Sequence, residues 1–123
     1  MELKHVALVC RSEENADLFY RDLLGLRREE RKILPRELAH RLFGLEEDLT
    51  VINYQGAVHF EVFIRARGAE AVPPIPHVCL QVPDLDAFLD RCRALDIHVF
   101  RVPKADKVLT FVHDRDGNSF EVK

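Results

Sequence analysis

Phe60-Glu61-Val62 and Phe120-Glu121-Val122 are one triplet written twice, and each copy closes one half of the chain. Each half also opens alike, on a histidine inside an apolar run: Lys4-His5-Val6-Ala7-Leu8-Val9 and Pro76-His77-Val78-Cys79-Leu80-Gln81-Val82. The chain is therefore predicted to be a duplication that runs twice from a histidine to a glutamate. A carboxylate in an otherwise apolar strand needs a partner, because burying it alone is costly. A metal ion shared between the copies is the simplest partner for two imidazoles and two carboxylates.

Working outward from these anchors, side-chain alternation predicts a strand over residues 3–10 with His5, Ala7 and Val9 on one face and Val6, Leu8 and Cys10 on the other. Ser12 then suits a helix N-cap, with Glu13 and Glu14 at the positive end of the helix dipole. Ala16, Phe19, Tyr20 and Leu23 make one buried stripe, and Gly25 suits the C′ position. A charged segment, 26–34, is predicted as an edge strand. A short helix over 36–42 follows, ended by Gly44, and then strands 49–54 and 58–64. Residues 65–75 hold small residues and two prolines without a period, which places a linker at 67–74 between modules 1–66 and 75–123. The pattern restarts with strand 77–82, a helix capped by Asp84 with Leu85, Phe88, Leu89 and Cys92 as its stripe, strand 97–102, and a final hairpin of 108–113 and 119–122 across Asp116-Gly117. Each half thus reads as strand, helix and three strands. If Phe60, Val62, Phe120 and Val122 pack under the helices, then His5, Glu61, His77 and Glu121 all take the open side.

At 123 residues and 47% apolar content, one globular domain burying roughly two thirds of its unfolded surface is expected. The formal net charge is −3 with both signs interleaved, so nothing here follows a nucleic-acid backbone. No apolar run reaches membrane-spanning length and no signal-peptide pattern opens the chain. A cytoplasmic protein is expected. Cys10, Cys79 and Cys92 lack the paired spacing of a zinc knuckle or redox motif and are read as small buried hydrophobes.

The order and spacing of Leu3-Lys4-His5-Val6-Ala7-Leu8, Phe19-Tyr20-Arg21-Asp22-Leu23-Leu24-Gly25-Leu26 and His113-Asp114-Arg115-Asp116-Gly117-Asn118-Ser119-Phe120-Glu121-Val122 resemble the vicinal oxygen chelate superfamily, the glyoxalase, bleomycin-resistance and extradiol dioxygenase group. The resemblance spans the whole chain. It implies an α+β fold of two βαβββ modules forming paired half-barrel sheets with helices on the outer faces. It also implies a divalent metal held by the first and last strands of each module, here by His5, Glu61, His77 and Glu121. Such a mixed nitrogen and oxygen set suits Zn²⁺, Ni²⁺ or Co²⁺, and also Mn²⁺ or Fe²⁺, with two places left for a substrate that chelates through neighbouring oxygens. The implied chemistry is Lewis-acid stabilisation of an enediolate while Glu61 or Glu121 takes a proton from the adjacent carbon.

Two histidines and two glutamates look like the set of bacterial-type glyoxalase I, a lyase that isomerises a hemithioacetal to a thioester. Methylmalonyl-CoA epimerases typically carry Gln where this chain has Glu61. Extradiol and fosfomycin-resistance enzymes use two histidines and one carboxylate. An arginine that commonly meets glutathione in the first strand of glyoxalase I falls at about Val9 here, with Arg11 nearby. A metal-free ligand-binding protein of the bleomycin-resistance type is the alternative from a different class, and such proteins usually lack the complete set. Taken singly, His5 reads as a solvated histidine and Glu121 as a residue near a frayed end; repetition is what makes them candidates. His59, on the face of Glu61, is a candidate contact beside it, and Asn53, Gln55 and Gln81 read as polar surface. Bare strand edges and the family habit of pairing modules imply a homodimer. One chain or two could supply the four ligands.

Overall fold

The computed structural model describes residues 3–66 and 76–123, as two compact units, Met1–Gly68 and Ala69–Lys123. The expected linker at 67–74 lies outside the described residues. In the first unit β1 (Val6–Cys10) leads into helix α1, which is α-helical over Glu13–Ala16 and continues with wider, π-type turns over Asp17–Leu23. The Ser12 side chain accepts a hydrogen bond from the Asn15 N–H at 3.1 Å, the cap its position predicts. At the far end Gly25 adopts φ +68 and the Leu26 N–H reaches back to the Tyr20 carbonyl at 3.1 Å, so the last turn closes on a left-handed residue where glycine carries no Cβ clash. The stripe is buried as its spacing predicts: Ala16, Phe19, Tyr20 and Leu23 are wholly inaccessible. Tyr20 seats α1 on the sheet, with its ring 5.3 Å from both Tyr54 and Phe60.

The predicted single strand over 26–34 is two pieces, β2 (Arg27–Arg28) and β3 (Lys32–Leu34). Both pair antiparallel with β4 (Leu49–Gln55), but Glu29, Glu30 and Arg31 oppose only Ile52 and Asn53, which is a bulge at the sheet edge. Between β3 and β4, helix α2 (Arg36–Phe43) turns Ala39 inward, leaves Leu38 and Leu42 exposed and sets Phe43 edge-on to Phe63. Strand β5 (Phe60–Ile64) pairs antiparallel with β4 and parallel with β1, giving the order β1-β5-β4-β2.

The second unit is β6 (His77–Leu80), α3 (Leu85–Ala94), β7 (His98–Lys104), β8 (Lys107–His113) and β9 (Ser119–Val122). Its sheet runs β6-β9-β8-β7, with β6 and β9 parallel and the rest antiparallel. Asp84 caps α3 by accepting from the Ala87 N–H at 3.0 Å. Phe88, Leu89 and Cys92 of α3 are buried, as are Val112, Phe120 and Val122 of the sheet. The strands that bracket each sheet in sequence are thus neighbours in space, and that parallel pairing joins the opening histidine to the closing glutamate. The α+β class and the repeated strand-helix-sheet architecture follow the expectation, with both sheets open rather than closed. Among the described residues no helix is long and apolar enough to cross a membrane.

Candidate metal centre

Parallel pairing fixes the same register in both units. Val6 lies opposite Phe60 and Ala7 opposite Glu61; Val78 lies opposite Phe120 and Cys79 opposite Glu121. Paired residues share a sheet face and strand side chains alternate, so the histidine before each valine lands on the face of the glutamate. In the first unit His5 Nε2 is 3.4 Å from Glu61 Oε2. In the second, His77 Nε2 is 4.0 Å from Glu121 Oε2. The four predicted residues are therefore placed as two His–Glu pairs, one per unit. The phenylalanine between them points the other way and is buried in both copies.

The two pairs rest on different floors. Beside Glu61, Asn53 lies opposite on β4, and its Oδ1 is 2.8 Å from His59 Nε2, whose ring meets His5 edge-on at 5.5 Å. Asn53 is buried, not the polar surface its sequence position predicts. The matching place opposite Glu121 belongs to Phe111, on whose ring His77 packs edge-on at 5.4 Å. Glu121 also meets Lys123, Nζ to Oε1 at 3.4 Å, leaving its second oxygen toward His77. Phe111 and Asn53 thus do comparable work by different means, one gripping a ring by contact and the other through a hydrogen bond to a neighbour.

Two histidines that received no role in the sequence share this face. His77 pairs with Ser119, Ser119 with His113 and His113 with His98, a single row across four strands. Counting by twos along β8 from Phe111 would have found His113. Its pKa lies below the ordinary histidine value, because burial disfavours the cation and His98 adds to the effect, while Asp114 opposes it. The ring is therefore neutral over most of the physiological range.

Cys79 is a correction. It was expected to be buried, but it is exposed, while Cys10 and Cys92 are buried. Alternation explains it: Val78 and Leu80 take the covered side of β6 and His77 and Cys79 the open one. Burial also pushes the Cys92 thiol up to about 11. Iodoacetamide at pH 8 is accordingly expected to modify Cys79 alone in the folded chain, with Cys10 and Cys92 reacting only in urea; peptide mass mapping checks this, and early labelling of Cys92 would show that the α3 stripe opens.

The donor chemistry fits a divalent ion. Each pair offers one imidazole nitrogen and one carboxylate on a partly open face. Within each unit the pair supplies one nitrogen and one oxygen donor, types matched to borderline and hard ions.

Two strand-helix-sheet units, each pairing its first and last strands in parallel, are the α+β architecture expected of the vicinal oxygen chelate fold. The chain belongs to the Glyoxalase/Bleomycin resistance protein/Dioxygenase superfamily, whose family model matches residues 2–122. No curated protein sequence matches it. Among solved structures, a glyoxalase family protein from Enterococcus faecalis is 20% identical with a TM-score of 0.73, over 98% of this chain and 95% of that one. The trypanothione-dependent glyoxalase I of Leishmania major is 16% identical with a TM-score of 0.74, over 99% of this chain and 85% of that one. A mutant of the fosfomycin resistance protein FosX of Listeria monocytogenes, complexed with Mn(II) and a dihydroxypropylphosphonic acid, is 12% identical with a TM-score of 0.72, over 98% of this chain and 87% of that one. At these identities the likeness is one of fold.

Proposed function

We propose that this protein is a divalent-metal-dependent lyase or isomerase that acts on a small oxygenated metabolite, in the manner of lactoylglutathione lyase, with His5, Glu61, His77 and Glu121 as the metal ligands. The observation that carries the reading is the repeated register: both units place a histidine and a glutamate on one face through the same parallel pairing. A stability requirement alone does not call for two partly exposed His–Glu pairs, since exposed ion pairs contribute about 0–1 kcal/mol. A complete ligand set also favours an enzyme over a metal-free binding protein.

A divalent ion held there supplies Lewis acidity toward a carbonyl oxygen. The chain's own contributions follow from its contacts. Phe111 and the His59–Asn53 hydrogen bond set the tilt of the two imidazole environments. Glu61 or Glu121 takes the proton from the carbon beside the carbonyl, as a carboxylate within reach of a chelated substrate can. Lys123 holds one oxygen of Glu121 and so orients the other. The two modules are proposed to act as one domain, and the protein as a cytoplasmic homodimer in which one chain or two complete the ligand set.

The protein purified without added metal is expected to carry close to one divalent ion per chain. Adding Zn²⁺, Ni²⁺ or Co²⁺ to the stripped chain should raise its stability by about 2.7 kcal/mol at a hundredfold excess over Kd. Turnover of the methylglyoxal–glutathione adduct should be lost in Glu121→Gln. Absence of both the ion and the thermal shift would overturn the metal-dependent reading. A bound ion without turnover of this adduct would keep the ligand set and reject the lactoylglutathione assignment.

A further inference from the structure

The second sheet breaks two local rules at one place, the tip of its β7–β8 hairpin. Lys104 and Lys107 stand directly opposite each other on the last rung, and like charges so placed oppose strand pairing. Between them Ala105 adopts φ +54, a left-handed geometry suited to glycine. A charge clash and a left-handed alanine at one tip are both local costs to the hairpin, of the kind found at functional positions.

Both lysines share the face of Glu121. Phe111 lies opposite Glu121 on β9 and opposite Phe100 on β7, and stepping by twos from there gives Leu109 and Lys107 on β8 and Val102 and Lys104 on β7. The pairing of β8 with β9 covers only Phe111–His113, while its pairing with β7 continues to the tip. A groove of about 710 Å³ fills the notch so formed, lined among others by Lys104, Lys107, Leu109, Glu121, Lys123 and Leu85. Its charged lining is three lysines against Asp106 and Glu121, and Glu121 already faces Lys123. The cationic surplus is therefore at the tip.

We infer that this groove binds the acidic end of an extended small-molecule substrate, a carboxylate or phosphate held between Lys104 and Lys107. The middle of the molecule lies against Leu109, and its other end reaches Glu121. Four residues of strand separate Phe111 from Lys107, so the two ends of the site are about 13 Å apart along β8. An anion between the lysines turns their mutual repulsion into a shared attraction, which accounts for the clash on the last rung. The lysine end stands on the hairpin alone; only the far end rests on the proposed function.

The test uses the full chain, with and without Zn²⁺, and titrates inorganic phosphate, succinate and the longer diacid suberate while following backbone amide shifts. Phosphate is expected to move the amides of residues 104–107 whether or not zinc is present. The Lys104→Gln/Lys107→Gln variant should bind it about tenfold more weakly, the effect of removing charge-assisted hydrogen bonds. That variant, relieved of its repulsion, should melt no lower than the parent without ligand. With zinc bound, suberate should bind at least tenfold more tightly than succinate. Equal phosphate affinity in the parent and the variant, or shifts spread evenly over the surface lysines, would overturn the inference. If zinc fails to bind but phosphate still selects the hairpin, the inference stands and the metal reading falls. If zinc binds and neither anion moves the hairpin, the reverse holds.

Discussion

Replacing Phe60 with alanine is expected to remove about 3–5 kcal/mol of stability, while Glu61→Ala, one residue along the same strand, should leave the urea midpoint within about 0.5 kcal/mol of the parent. The contrast comes from alternation on β5. Phe60 is 1% exposed and lies in ring contact with Tyr20, so its loss opens a cavity under α1 that a close-packed core fills poorly. Glu61 is on the other face, with His5 as its neighbour and its side chain 29% exposed, so its removal opens no cavity in the apolar core. What Glu61→Ala should lose is metal. As a ligand it should matter more than the roughly 10–100-fold in affinity that bracing residues around metal sites contribute. Urea denaturation and a competitive zinc titration on both variants separate the two roles. A Glu61→Ala chain that melts early while still holding its ion would make that carboxylate a part of the fold and remove it from the site. The same division is expected one copy later, between Phe120 and Glu121.

That division was legible in the sequence because period-2 alternation and a repeated triplet are both local. Phe60 and Phe120 could be assigned inward, and Glu61 and Glu121 outward, from their neighbours alone. The caps were legible for the same reason, since Ser12 and Asp84 act on N–H groups three residues away. What escaped were features set by a partner strand distant in sequence. The break at Glu29–Arg31 depends on how many residues β4 offers opposite it. Asn53 is buried because it meets His59, and nothing around Asn53 announces that pairing. Cys79 was assigned by residue type, and type outweighed an alternation that already placed it beside His77. His98 and His113 carry no local signal, because a histidine row exists only once four strands are in register.

The floors of the two His–Glu pairs show how a duplicated scaffold comes to have unequal halves. The copy beside Glu61 is polar, with Asn53 and His59, and the copy beside Glu121 presents Phe111 and Ser119 in the same register positions. Identical backbone pairing therefore keeps the His–Glu pair constant while the neighbouring positions vary. The unequal neighbours are thus a property of each unit's own sheet, fixed by which residue stands opposite the glutamate.

Asp17→Ala is expected to destabilise the first unit by about 2–4 kcal/mol, because it strips one carboxylate from several donors at once. Asp17 Oδ1 accepts from the Tyr54 hydroxyl at 2.7 Å and lies 2.8 Å from Arg28 Nε, while its Oδ2 takes Arg21 at 3.2 Å. The side chains of Asp17 and Arg28 are 19% and 27% exposed, so the cluster is poorly screened, and Arg28 would keep only Glu13 at 3.7 Å. Tyr54→Phe should lose less, about 1–2 kcal/mol, since Asp17 retains both arginines. Its distinguishing effect is on pH dependence. Burial, then the hydrogen bond to Asp17, raises the Tyr54 pKa above its ordinary 10.0. A group whose folded pKa is raised contributes stability that is complete below the unfolded value and falls away as pH rises past it, because the unfolded chain then releases a proton that the folded chain keeps. The parent should therefore lose stability above pH 10 more steeply than Tyr54→Phe, by up to about 1.4 kcal/mol per pH unit for this single proton. Urea midpoints taken from pH 9 to about pH 11 measure the difference in slope. Parallel slopes would mean that the hydroxyl ionises as freely in the fold as outside it, and that Asp17 anchors α1 to the sheet through Arg28 of β2 rather than through Tyr54 of β4.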